Sequence, residues 1–335
     1  MCDTTLGEGG TPLVRSVRVG PAIGLSSLLF KLESCNPSGS YKDRFVAAQV
    51  NSMRVRGIRS CLATSSGNTG SALAAYCARY DIRCVIIVNE HAPAGKLAQM
   101  QAHGARVIRV KGFAASPEIT KQVYATLERF SRATGAPLVV SAYRYCPEGM
   151  AGVESLGREL RDISGLRHVF VPLGGGGLYS AVCRGLDGSG IRIHAAQPEA
   201  CLTTVASWRR GGDSIQPVES KTRISGLAVP FDIDASLALR LLRENGGVGF
   251  AVSDESVFEA QRMLLEQEGI YCEPAGAAAL AGARQAHIEN IVAGHESVVC
   301  LVTGHGFKDP DSIAEAAAKF PSTVVGPEDL EDTLA

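Results

Sequence analysis

Apolar positions along this chain fall into short, nearly continuous runs separated by longer stretches with helical spacing. Runs at 59–64, 83–88, 105–110, 138–141, 168–173, 192–196 and 297–302 are rich in β-branched and aliphatic residues and too short for helices. Between them, 69–80, 117–134, 149–163 and 253–267 repeat apolar residues at the spacing of one helix face. Continuously apolar strands alternating with helices predict parallel sheets covered on both faces. In such sheets ligands collect at the carboxyl ends of the strands, where loops lead into helix N-termini. No internal repeat interrupts this order, and the tail 321–335 is expected to be loosely structured.

Composition sharpens the picture by exclusion. A chain of 335 residues suffices for about two domains or one large α/β body. A net charge of −1 provides no field for nonspecific binding to nucleic acid or an anionic membrane. No apolar run approaches the roughly 18 residues of a membrane-spanning helix. The start, Met1-Cys2-Asp3-Thr4-Thr5, lacks the basic and apolar regions of a signal peptide, so a cytoplasmic location is expected. The ten cysteines show no C-x-x-C pair and no paired histidine spacing. They are expected to be buried thiols in a reducing compartment, and no metal site is expected.

Four segments carry candidate chemistry. Asn36-Pro37-Ser38-Gly39-Ser40-Tyr41-Lys42-Asp43-Arg44 places a lysine at the end of a tight turn, just before an apolar helix start. Held away from bulk water, such an amine loses basicity and gains nucleophilicity, as a Schiff-base lysine requires; the same residues also suit an ordinary solvated turn. Thr64-Ser65-Ser66-Gly67-Asn68-Thr69-Gly70 follows a strand and offers hydroxyls, an amide and helix N-terminal N–H groups to a carboxylate. A simple N-cap is the alternative, but two consecutive serines exceed what one cap needs.

Pro172-Leu173-Gly174-Gly175-Gly176-Gly177-Leu178 lies between a strand and a helix, where four glycines allow backbone amides to close around a phosphate. No Gly-Lys-Ser/Thr ends this loop, which excludes a Walker-type site. A dinucleotide site stays open, because Glu199 stands just past the next strand. Thr303-Gly304-His305-Gly306-Phe307-Lys308-Asp309 follows another apolar strand. It offers a neutral hydroxyl, and His305 and Lys308 are secondary catalytic candidates. Lys308 is the rival to Lys42 for the Schiff-base position, in the poorer, exposed Lys-Asp-Pro context.

Taken together and in this order, these motifs resemble the fold-type-II pyridoxal-phosphate enzymes, a group that includes threonine synthase, threonine dehydratase, cysteine synthase and the tryptophan synthase β chain. The resemblance runs from Gly7 to about Asp309. The opening Leu6-Gly7-Glu8-Gly9-Gly10-Thr11-Pro12-Leu13 and the closing Thr303 to Asp309 look most like the threonine synthases. The resemblance implies an α/β fold of two open, twisted, mostly parallel sheets flanked by helices, like the tryptophan synthase β chain. It implies a large cofactor-binding domain from 1–41 and 146–320, and a small mobile substrate domain from 42–145. A homodimer acting on a small amino acid is also implied.

Residue by residue, the resemblance implies that Lys42 carries pyridoxal 5′-phosphate and then shuttles protons. It implies that Asn68 contacts the ring 3′-oxygen, and that Gly174, Gly175, Gly176, Gly177 and Leu178 cradle the phosphate. Thr303 would face the ring nitrogen, while Ser65, Ser66, Gly67 and Thr69 hold the substrate carboxylate and Arg144 contributes to substrate binding. A hydroxyl at the ring nitrogen makes a weaker electron sink than a carboxylate would, which suits elimination and replacement at the side chain. The implied reaction converts O-phosphohomoserine and water to threonine and phosphate. One segment departs from the threonine synthase pattern. Where those enzymes carry Glu-Gly-Gln-Lys-Thr, this chain reads Glu148-Gly149-Met150-Ala151-Gly152, without the lysine. A lost charge-assisted contact to phosphate leaves elimination or replacement on serine, threonine or an O-activated serine as the alternative.

Overall fold

The computed structural model describes residues 5–65, 67–92, 94–113, 116–320 and 322–334. Two sheets organise it. The smaller contains β3 (Ser60–Ala63), β4 (Arg83–Asn89), β5 (Arg106–Val110) and β6 (Leu138–Val139), all parallel, in the order β5-β4-β3-β6. The larger contains β1 (Leu13–Arg15), β2 (Leu28–Leu32), β7 (Leu166–Pro172), β8 (Arg192–Pro198), β9 (Gly249–Val252) and β10 (Ser297–Val302). Its order is β1-β2-β10-β7-β8-β9, and only the β1–β2 pairing is antiparallel. The expected α/β architecture of two mostly parallel sheets is borne out.

Burial explains the strand pattern. β7, β8, β9 and β10 are almost entirely buried, as strands covered by helices on both faces must be. The helix Pro274–Ile288, built largely of Ala and Gly, is buried nearly all round. Its small side chains let it lie close to the sheet: a Cβ on Gly282 would stand 2.9 Å from the Ala196 Cβ of β8. The tail carries a short 3-10 turn, Pro327–Asp329, running into the helical turn Leu330–Leu334, neither with a buried residue.

A buried ionic network joins the chain's opening to the helix Lys42–Val55. Arg44 donates through Nε and Nη2 to the two Glu33 carboxylate oxygens at 2.7 and 2.8 Å, and through Nη1 to Glu159 at 2.6 Å. Lys31, on β2, reaches Glu159 at 2.6 Å and the Thr11 carbonyl at 2.6 Å. The Gly10 N–H donates to the same Glu159 carboxylate at 3.0 Å, so the Gly-rich opening is held against the helix that starts at Lys42.

Two imidazoles lie inside the larger sheet. The Val248 N–H donates to His194 Nδ1 at 3.1 Å, which leaves the His194 proton on Nε2, facing His168 Nδ1 at 2.9 Å. His168 Nε2 in turn faces Glu296 at 3.2 Å. Burial first, with Arg192 adding repulsion, pushes both imidazoles below their ordinary value of 6.5, His194 to about 3. His194 is neutral in the fold but protonates near 6.5 once unfolded, so its contribution to stability is full above 6.5 and is lost as pH falls towards about 3, and the lowered His168 acts in the same direction. The melting temperature is expected to begin falling just below pH 6.5, while carboxylates are still ionised. A flat profile at the top of that window would show that these imidazoles titrate freely.

Candidate active site

Every candidate segment follows a strand at its carboxyl end, three on the larger sheet and one on the smaller, and contacts between the loops bring the distant motifs together. The lysine turn comes after β2, the serine-rich loop follows β3, the glycine loop follows β7 and the Thr303 loop follows β10. Backbone contacts tie the first and last together. The Tyr41 N–H donates to the Thr303 carbonyl at 3.1 Å, and the His305 N–H donates to the Gly39 carbonyl at 2.9 Å. Gly39 has φ +90, which a side chain would strain, and a Cβ there would stand 3.1 Å from Lys308 Cε.

Lys42 opens the helix Lys42–Val55 half-buried, with its ammonium 4.6 Å from the centre of the Tyr41 ring. Its Nζ donates to Ser141 Oγ at 2.6 Å, and Ser141 Oγ lies 3.0 Å from Thr69 Oγ1. Lys308 is elsewhere. It is buried behind the turn, and its Nζ donates to Gln99 Oε1 at 2.6 Å. Against expectation it is not exposed, because the turn and the helix Ala94–Ala102 cover it. His305 packs among Tyr271 and Phe307, with ring centres at 5.3 and 4.6 Å; burial, then the Lys308 charge, lowers its pKa.

The serine-rich loop folds on itself, with the Gly67 N–H donating to Ser65 Oγ at 3.3 Å; Ser66 lies outside the described residues. Asn68 and Thr69 open the helix Asn68–Arg79, whose first N–H groups have no partner within the helix. Asn68 Nδ2 donates to Glu273 Oε1 at 2.6 Å. Glu273, almost fully buried, precedes Pro274 at the start of its helix and donates its own N–H to the Gly304 carbonyl at 3.1 Å. The carboxylate therefore orients the Asn68 amide and abuts the start of the Thr303 loop. A Cβ on Gly304 would collide with Glu273 Oε1 and stand 3.2 Å from Asn68 Nδ2.

The glycine loop is a cradle that side chains would fill. Gly176 has φ +97, and a Cβ there would strike the Asp234 carbonyl. A Cβ on Gly174 would stand 3.1 Å from Leu227 Cα, and one on Gly177 would stand 3.3 Å from the Ser141 carbonyl. The helix Gly177–Gly185 begins here with Leu178 buried in its first turn, and its free amides and positive dipole end favour an anion. Beside the cradle, Asp234 accepts from the Tyr143 N–H at 2.7 Å and the Arg144 N–H at 3.2 Å. Its Oδ2 lies 3.1 Å from a Cβ position on Gly177. Burial raises the Asp234 pKa, against the lowering by those two amides. The Arg144 side chain is exposed, its guanidinium 5.9 Å from the Tyr145 ring centre.

The residues present fit pyridoxal phosphate: a cradle lined by glycines at a helix N-terminus, and an amine joined to it through Ser141. Comparisons with known proteins agree. The family described as pyridoxal-phosphate dependent enzyme matches residues 4–304. Threonine synthase of Methanocaldococcus jannaschii is 32% identical over 327 residues, covering 93% of this chain and 78% of its own. Threonine synthase of Mycobacterium leprae is 31% identical over 317 residues, covering 92% and 84%. The structure of maize serine racemase superposes with a TM-score of 0.76 at 25% identity over 92% of each chain. This chain belongs to the pyridoxal-phosphate dependent enzymes. Its cofactor is pyridoxal 5′-phosphate, and the relatives it is similar to across nearly its whole length include threonine synthases.

Ser141, Asp234 and Glu273 were not singled out by sequence. Position could have found Ser141, which stands just past the end of β6, where a parallel sheet presents its ligand groups. Replacing Ser141 with alanine removes one hydrogen bond to the Lys42 amine, of about 1 kcal/mol. A fall of about fivefold in kcat/KM is expected in steady-state assays, with cofactor content unchanged; an unaltered kcat/KM would show that Ser141 only fills space.

Proposed function

We propose that the enzyme is a threonine synthase-like lyase that converts O-phosphohomoserine and water to threonine and phosphate. The observation that carries this reading is the Lys42 amine, held by Ser141, whose hydroxyl also meets Thr69, between the glycine cradle and the Thr303 loop. Gly174 to Gly177 and Leu178 would hold the cofactor phosphate, Asn68 its ring oxygen and Thr303 its ring nitrogen. The bound cofactor supplies an electron sink for charge developing at the substrate α-carbon. Lys42 would take the α-proton and return protons to the substrate. Ser65, Ser66, Gly67 and Thr69 would bind the substrate carboxylate at the helix N-terminus and fix the scissile bond. The small sheet and its helices, within 42–145, would then form the domain that closes on substrate. The similarity to threonine synthases over 93% of the chain supports the choice of substrate.

A second reading is favoured by Asp234. Its carboxylate occupies the Tyr143 and Arg144 amides beside the cradle, while the Arg144 guanidinium is exposed. A dianionic side chain entering there would meet a like charge, and Ala151 stands where the threonine synthase pattern has its lysine. This arrangement suits elimination or replacement on serine, threonine or an O-activated serine. One experiment separates the readings. Purified enzyme is incubated with O-phosphohomoserine, and phosphate and threonine are measured; the same enzyme is incubated with serine and threonine, and ammonia and 2-oxo acid are measured. Threonine and phosphate in equal amounts establish the first reading. Their absence, with ammonia released from serine or threonine, replaces it with the second.

A further inference from the structure

Three cysteines meet in the core of the smaller sheet. Cys61 on β3 and Cys84 on β4 are register partners of a parallel pair, so their side chains share one face. The helix Asn68–Arg79 covers that face and brings Cys77 to them. All three sulfurs lie within 4.8 Å of one another, and Cys61 and Cys77 approach to 3.6 Å. The thiols are buried, as expected of most of the cysteines, but their clustering has a consequence of its own.

We propose that Cys61, Cys77 and Cys84 form a three-coordinate thiolate site for a soft metal ion, namely Cu(I). A disulfide would join only two of the three sulfurs and leave the third unused, whereas a metal ion takes all three. An ion with metal–sulfur bonds of about 2.3 Å places three sulfurs about 4 Å apart, the size of this triangle. No fourth His, Cys, Asp or Glu donor joins the cluster among the described residues. That disfavours zinc, whose structural sites want four ligands, whereas soft thiolates select Cu(I). On binding, three S–H bonds break, three Cu–S bonds form and three protons leave, with no change in the oxidation state of copper. A surface cavity lined by Cys77, Cys84 and His103 provides the way in. Arg59, Arg83 and Arg106 line the same cavity, together with Asp81. Cys61 and Cys77 flank the loop Thr64–Gly70, so a bound ion would fasten β3 and β4 to the helix that presents Asn68 and Thr69.

The test uses full-length, cofactor-loaded protein carrying Cys2→Ala and Cys35→Ala, which removes the exposed Cys35 thiol. Under anaerobic conditions, Cu(I) is offered against bathocuproine disulfonate as competing chelator. One copper per chain is expected to leave the chelator, with a raised melting temperature. X-ray absorption should show three sulfurs at about 2.3 Å and no nitrogen. Further change of Cys77 or Cys84 to alanine is expected to lower Cu(I) affinity by at least 100-fold, while Cys300→Ala leaves it unchanged. Copper retained by the chelator, a nitrogen or oxygen shell, or full binding by the Cys77→Ala and Cys84→Ala proteins would overturn the assignment. The absorption measurement needs no core variant, so a misfolded mutant cannot decide the outcome.

Discussion

Lys42→Ala is expected to abolish turnover, with a loss of roughly 10³-fold or more, because it removes both the covalent anchor of the cofactor and the proton-transfer group. The effect should be specific to this amine. Lys308, the other lysine near the turn, is buried behind it with its Nζ on Gln99, and its burial follows from the close approach of Gly39. Wild-type protein should absorb near ~410 nm, and borohydride should remove that band and fix the cofactor mass on Lys42. Lys42→Ala should lose both signals, whereas Lys308→Ala should keep the fixed mass at Lys42. A Lys42→Ala enzyme turning over at the wild-type rate would refute the assignment. Fixed mass on Lys308 would transfer it.

How much of this was legible in the sequence depends on whether a residue speaks through its neighbours in the chain or through distant ones. The strands β3, β4, β7, β8 and β10 announce themselves as apolar runs because both their faces are covered. β2 does not, since Lys31 interrupts Leu28-Leu29-Phe30-Lys31-Leu32, and only the structure shows that lysine engaged with Glu159 and Thr11. The helix Pro274–Ile288 hides for the opposite reason: nearly every residue is apolar, so no face stands out from the rest. The site divides in the same way. Glycine loops and the lysine turn carry their meaning in local spacing. Glu273 acts on Asn68, 205 positions away, and Asp234 acts on amides about 90 positions away. Such pairs exist only once the fold has formed. A lone acid before a proline reads as an ordinary helix start, and nothing local in Phe231-Asp232-Ile233-Asp234 distinguishes one aspartate from the other.

Arg44→Ala should cost about 3–5 kcal/mol of stability, the largest loss expected from any single side chain discussed above. Arg44 and Glu33 are buried at 3% and 0% exposure, so the two charges exchange water for each other. Removing the guanidinium leaves the buried Glu33 carboxyl with Thr11 and Asn36 as its side-chain partners, and the cost is that of breaking a buried pair rather than a surface one. Lysine at this position should recover only part of the loss, because one ammonium cannot span Glu33 and Glu159 as the planar fork does. Glu159 adds a pH signature. Burial raises its pKa, but donation from Arg44 and Lys31 outweighs this and holds it at about 2. Its contribution is therefore complete above its ordinary 4.5 and is lost as pH falls towards about 2. Urea unfolding of wild type and Arg44→Ala at neutral pH and below 4.5 should show the difference between them shrinking with acid. A neutral-pH difference under about 1 kcal/mol would mean that the network is hydrated and contributes no more than exposed pairs do. The functional consequence follows from sequence distance: Arg44 stands two residues after Lys42 on the same helical turn, so the network that stabilises the fold also fixes where the catalytic amine begins.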